Sequence, residues 1–168
     1  MTRSEVARID VSALYGAHRL QLVRTAILLV DDLGSAEDVV QDAFVGLHRH
    51  HDKIRDPEAA LGYLRTAVVN GARSMLRRRQ TVRKHVRPVQ AEVTDSPDSE
   101  LLLAEDHREV LAAVRTLPPR QQEVLVLRYW SDLSEAEIAH ALGISRGAVK
   151  SQASRAIDKL ETILEGRR

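Results

Sequence analysis

The chain contains no cysteine. That excludes disulfides and thiolate metal sites and fits a reducing compartment, so a cytoplasmic location is expected. Aromatic residues are scarce, at 3%, a composition that suits small helical bundles packed from Leu, Val, Ile and Ala. Apolar runs stay short: the Ala26–Val30 stretch is far below the length of a membrane span, so no membrane insertion is expected. The first ten residues are too polar for a signal peptide. No long C-terminal regulatory extension is expected after the last amphipathic stretch. Excess charge is missing too. Charged residues make up 29% of the chain, yet the net charge is only +1, so the total gives no sign of a polyanionic partner and local charge must decide. Strand alternation and internal repeats are absent. So are a clustered carboxylate set, a Gly-rich phosphate loop and a nucleophile beside a base, and neither an enzyme site nor a cofactor is expected.

What is there is helical, in 168 residues that allow one ordinary domain or two small ones. The most informative stretch runs from Ser134 to Ser151. Ser134 can cap a helix and Glu137 can reach back to it, which is a capping box. Ala139 is small enough for two helices to approach. Ile138, Leu142, Ile144 and Val149 should share a core. Gly143 can adopt the left-handed backbone that ends the first helix, and Ser145 can cap a second one. This is a helix-turn-helix, whose second helix lies in a DNA major groove.

The rest of the chain divides around it. Val11–Val30 reads as a helix stopped by Asp31-Asp32-Leu33-Gly34, and Ser35 is expected to cap the next. In that second helix Val39, Val40, Ala43, Phe44 and Leu47 form the apolar face. Asp56 at the cap and Pro57 at the first helical position open a third helix, running to about Arg79, with Leu61, Leu64, Val68, Ala72 and Met75 as its buried stripe. Periodicity is then lost from Gln80 to Ser99, a stretch read as a linker, basic early (Arg83, Lys84, Arg87) and acidic later (Glu92, Asp95, Asp98, Glu100). Val110, Leu111, Val114 and Leu117 mark another helix, stopped by Pro118-Pro119, and one more spans about Arg120 to Trp130. The last helix stays amphipathic through Ala156, Ile157, Leu160 and Leu164. The expected fold is therefore all-α: a three-helix unit over residues 1–80, a flexible linker over 81–100, and a four-helix unit carrying the helix-turn-helix over 101–168.

Polar residues at helical spacing mark candidate sites. Asp38, Gln41 and Asp42 share a polar face opposite Val40 and Phe44; an ordinary solvated face reads the same way. Asn70 interrupts an apolar helical stretch, and its amide can meet either a base edge or a neighbouring helix. Arg73, Arg77, Arg78 and Arg79 exceed what a helix dipole needs and point to phosphates. On the recognition helix, Arg146, Lys150, Ser151, Gln152, Ser154 and Arg155 are available behind the Ser145 cap. Its first residues should meet base edges and its later cations phosphates. His48, His50 and His51 are poorly spaced for a metal, so none is expected.

Leu117-Pro-Pro-Arg-Gln-Gln-Glu-Val-Leu-Val-Leu-Arg-Tyr-Trp130 and the helix-turn-helix after it resemble region 4 of bacterial RNA polymerase sigma factors. Ala36–Phe44, Tyr63–Asn70 and the Arg77–Arg79 run resemble region 2. Order and spacing match the extracytoplasmic-function (ECF) group, and within it a SigE-like actinobacterial branch. The resemblance implies a protein that binds core RNA polymerase and directs promoter-specific initiation, without catalysing anything itself. It implies that Asp38, Gln41 and Asp42 meet the clamp helices of the β′ subunit. Tyr63, Asn70 and the Arg73–Arg79 cluster would hold the −10 element as single strand. Ser145, Arg146, Lys150, Ser151, Gln152, Ser154 and Arg155 would read the −35 element as duplex, with this unit on the β-flap. Tyr63 stands where many members have Trp, and Gln152 where Arg is common. An anti-sigma factor is a possible further partner. A regulator with a LuxR-type output domain shares the C-terminal pattern, but the first half lacks the strands of a receiver.

Overall fold

The computed structural model describes residues 8–85 and 108–166, and every described element is helical. Among the described residues there are seven α-helices: α1 Val11–Val30, α2 Leu33–His50, α3 Pro57–His85, α4 Arg108–Arg115, α5 Pro119–Leu125, α6 Glu135–Leu142 and α7 Arg146–Glu165. A short 3-10 turn, His51–Lys53, follows α2, and a π-helical turn, Val126–Trp130, continues α5.

Local chemistry sets most of the boundaries. Asp10 accepts the Ala13 N–H at 3.1 Å and starts α1. Asp31, with φ 77°, ends it. The cap of α2 is Asp32, not Ser35: its carboxylate accepts the Ser35 N–H at 2.8 Å, and Gly34 lies inside the helix. Carboxylates cap at least as well as hydroxyls, so the helix starts at the first suitable side chain. Asp56 accepts the Glu58 N–H at the start of α3. The capping box of α6 forms in both directions, Ser134 N–H to Glu137 at 2.7 Å and Glu137 N–H to Ser134 at 3.2 Å. Gly143, with φ 65°, makes the turn, and Ser145 caps α7.

Helix α3 continues to His85, five residues into the stretch read as linker. Nothing from Gln80 to His85 breaks a helix, and exposed polar residues are as acceptable in one as in a loop. The remainder of the linker reading lies outside the described residues.

One apolar core joins the two groups of helices. Leu22, Val23 and Ile27 of α1, Phe44 and Leu47 of α2, and Leu64 and Val68 of α3 form one cluster with Val114, Val124, Leu127 and Ile138 of the second group. Val69 is buried as fully as Val68. Neighbouring helical residues point about 100° apart, so α3 is covered along two flanks, one by α1 and α2 and the other by the second group. A smaller cluster of Leu117, Leu125 and Ala156 closes the base of α7.

Candidate nucleic-acid interface

On α2, Asp38, Gln41 and Asp42 are all exposed while Val39, Val40, Ala43 and Phe44 are buried. The three polar side chains therefore form an open surface backed by a rigid helix.

On α3, Tyr63, Asn70 and Arg77 recur every seven residues and so share one face. Asn70 is exposed, which disfavours the alternative that its amide serves a neighbouring helix. Tyr63 is half-buried, stacked obliquely on His50 at 6.1 Å, with its hydroxyl directly over Gly46. The arginine cluster divides. Arg77 and Arg78 are exposed. Arg79 turns inward, donating to the Val30 carbonyl at 3.1 Å, to Asp32 at 2.8 Å and to Ser35. It locks the α1–α2 corner. Burial alone would raise the Asp32 pKa, but the Ser35 N–H and the Arg79 guanidinium outweigh it and hold it below its ordinary value.

Arg73 is engaged as well. Its Nε and Nη2 donate to the two carboxylate oxygens of Glu123 at 2.6 and 2.7 Å, a bidentate pair between α3 and α5. Glu123 is buried, with its side chain only 8% exposed, and takes a further contact from Arg120 at 3.3 Å. The bond to Glu123 raises the Arg73 pKa further against the opposing effect of burial. A charged, bidentate bond with one partner out of water is among the stronger polar contacts a protein makes.

Other ties cross the same boundary. Gln122 donates to the Leu28 carbonyl at 2.7 Å near the end of α1. Gln21 donates to the Trp130 carbonyl. Thr25 and Ser131 share a hydrogen bond of 2.7 Å. Arg65 reaches Glu137 at 3.4 Å. Asp31 and Arg115 approach to 2.9 Å without the alignment of a hydrogen bond. Glu123, Gln122 and Arg65 were not singled out from sequence. The one available signal was an acid next to Val124 and Leu125 in an apolar stretch.

The recognition helix α7 is open. Ser145, Arg146, Lys150, Ser151, Ser154 and Arg155 are exposed, and Gln152 is half-buried, while Val149, Ala153 and Ala156 anchor the opposite face. Lys150 lies 3.8 Å from Glu135, which also faces Arg128 at 3.7 Å. The histidines serve the backbone: His50 Nδ1 pairs with the Gly46 carbonyl and His51 Nδ1 with the His48 carbonyl. Among the described residues, no three His, Asp or Glu side chains are grouped to hold a metal ion, and no helix is long and apolar enough to cross a membrane.

Comparison with known proteins places the chain in a family. Residues 14–82 match sigma-70 region 2 and residues 107–160 match sigma-70 region 4. The chain is 35% identical to the RNA polymerase sigma-E factor of Streptomyces avermitilis over 147 residues, covering 87% of this chain and 80% of the relative. It is 30% identical to the ECF RNA polymerase sigma factor SigM of Mycobacterium tuberculosis over 157 residues, covering 94% of this chain and 78% of the relative. Among solved structures, the fold resembles the sigma factor RpoE of Bartonella quintana, determined with the anti-sigma factor NepR. That match has a TM-score of 0.70 at 24% identity and covers 94% of this chain and 99% of the other. CnrH, determined with the cytosolic domain of CnrY, gives 0.69 at 24% identity, covering 94% of this chain and 89% of the other. The chain belongs to the sigma-70 family of promoter-directing RNA polymerase sigma factors, in its ECF group.

Proposed function

We propose that the two exposed polar surfaces divide promoter recognition between them. Residues 1–80 form the unit that binds core polymerase and opens the −10 element; residues 101–168 form the unit that reads the −35 element. Asp38, Gln41 and Asp42 dock on the β′ clamp helices. Asn70 hydrogen-bonds an unstacked −10 base, Tyr63 lies beside it, and Arg73, Arg77 and Arg78 hold the strand phosphates. Arg79 supports this face from behind by fixing the α1–α2 corner. On α7, Arg146 and Gln152 read base edges, Ser145, Ser151 and Ser154 contact the duplex, and Lys150 and Arg155 bind phosphates, while the unit rests on the β-flap. The chain does no chemistry itself; the polymerase supplies all catalysis in the cytoplasm. An anti-sigma factor is a further partner, in line with the complex solved for RpoE.

The observation that carries this reading is the pairing of an open Asn70–Arg77 face on α3 with an open, Ser145-capped recognition helix. Reconstituted transcription with core polymerase on genomic fragments tests it. Selective start sites over core alone are expected. With Asn70→Ala, closed complexes should form while permanganate reactivity at the −10 region falls. Start sites identical to those of core alone would refute the reading.

A further inference from the structure

Glu123 grips Arg73 in the way a strand phosphate would. The guanidinium fork that takes a carboxylate bidentately takes a phosphate with the same two donors. Arg73 lies one helical turn from Asn70 on α3, within the surface assigned above to the −10 strand. While Glu123 holds it, the Nε–Nη2 edge of that guanidinium, the fork that would take a phosphate, is occupied. The contact also sits at the centre of the boundary between the two groups of helices, flanked by the Gln122, Gln21, Thr25 and Arg65 ties.

Distance makes the closed arrangement incompatible with promoter binding. The −35 and −10 elements lie about 85 Å apart along a duplex, taking roughly 3.4 Å per base pair. A compact body of 168 residues has a radius of gyration of about 15 Å. The two groups of helices must therefore part before both elements are engaged. The covalent span between His85 and Arg108 reaches about 75 Å when fully extended, which permits it.

We propose that Glu123 is a built-in phosphate mimic: it occupies Arg73 in the free chain, holds the region 4 helices down on α3, and is displaced when the −10 strand takes the same guanidinium. The inference rests on the assignment of α3 to the −10 strand. It makes opening and strand binding two sides of one competition, so that each favours the other. Burial of the Glu123 carboxylate matters here, because a solvated pair would yield too readily to select between the states.

The test uses the full chain, whose lack of cysteine allows spin labels at Ala59→Cys and Ala112→Cys on exposed positions of α3 and α4. Pulsed electron resonance should give one narrow distance for the wild type. A broader and longer distribution is expected for Glu123→Gln and for Arg73→Glu. The charge-swapped pair Arg73→Glu with Glu123→Arg should restore the narrow distance, which separates loss of the latch from general misfolding. Binding of a short oligothymidylate, which presents phosphates without sequence, should tighten about fivefold or more in Glu123→Gln. It should lose that gain when Arg73→Ala is added. Unchanged distance in Glu123→Gln, failure of the swapped pair to close, or opening without tighter binding each overturns the proposal. The distance measurement involves no polymerase. An intact start-site assay with an unresponsive distance refutes the latch alone, and a responsive distance with no start-site selection refutes the assignment of function.

Discussion

Gly46 and Tyr63 give the sharpest test of how α2 and α3 meet. A Cβ placed on Gly46 would lie 2.6 Å from the Tyr63 hydroxyl, while the next ring atoms, Cζ and Cε1, would be 3.6 and 3.8 Å away. Only the hydroxyl collides. Gly46→Ala gains about 1 kcal/mol from helix propensity but forces the ring to move, and overpacking of that kind costs about 1–3 kcal/mol. The single variant should therefore be neutral or destabilised by up to about 2 kcal/mol. Removing the hydroxyl with Tyr63→Phe leaves ordinary van der Waals contacts. In that background Gly46→Ala should keep its full gain of about 1 kcal/mol, raising Tm by about 2–4 °C. The coupling between the two positions is then about 1–3 kcal/mol. Equilibrium urea unfolding of the four chains measures it. Equal effects of Gly46→Ala in both backgrounds would show that the hydroxyl does not sit over Gly46. The same set bears on function, because the glycine lets the Tyr63 ring settle against α2 beside the proposed −10 face.

Three further outcomes follow from the divided arginine cluster, the open recognition helix and the capped corner. Arg79→Ala should cost about 1–3 kcal/mol by stranding the Val30 carbonyl and Asp32, read as a lowered Tm. Arg77→Ala and Arg78→Ala should stay within about 0.5 kcal/mol of wild type while weakening single-strand binding. A melt that ranks all three alike would contradict the inward course of Arg79. Arg155→Ala should weaken promoter binding across sequences and reduce the salt slope by about one unit; an altered base preference would instead place it at a base edge. Asp32 has a folded pKa below its unfolded value, so its contribution is fully present above the unfolded pKa and disappears as pH falls through the folded one. Urea midpoints should thus decline below about pH 4. Asp32→Asn, which keeps a capping oxygen, should flatten that decline, and an unchanged slope would remove Asp32 as its source.

Much of this was legible in the order of the residues because the signals act within a few positions. The Ser134–Glu137 box, Gly143, the Ser145 cap and the Asp56-Pro57 start each bring their partners along in sequence. Helix type, the helix-turn-helix and the open polar faces of α2 and α7 follow from such local rules and from apolar spacing. Where a rule allowed two answers, as with Asp32 or Ser35 for the start of α2, local reading chose the wrong one, and it ended α3 at Arg79 where the helix continues to His85.

The packing of the two groups of helices is different in kind. Arg73 meets Glu123 fifty residues away, Arg79 meets Asp32 across a corner, and Tyr63 covers a glycine on another helix. Nothing in the spacing of arginines on α3 distinguishes Arg77, which is free to meet a phosphate, from Arg73, which already has a carboxylate. Sequence alone determined where helices form, to within a few residues at their ends, and which polar groups they carry. Tertiary structure decided which of them were already taken, because that depends on which faces of distant helices are brought together by a shared apolar core.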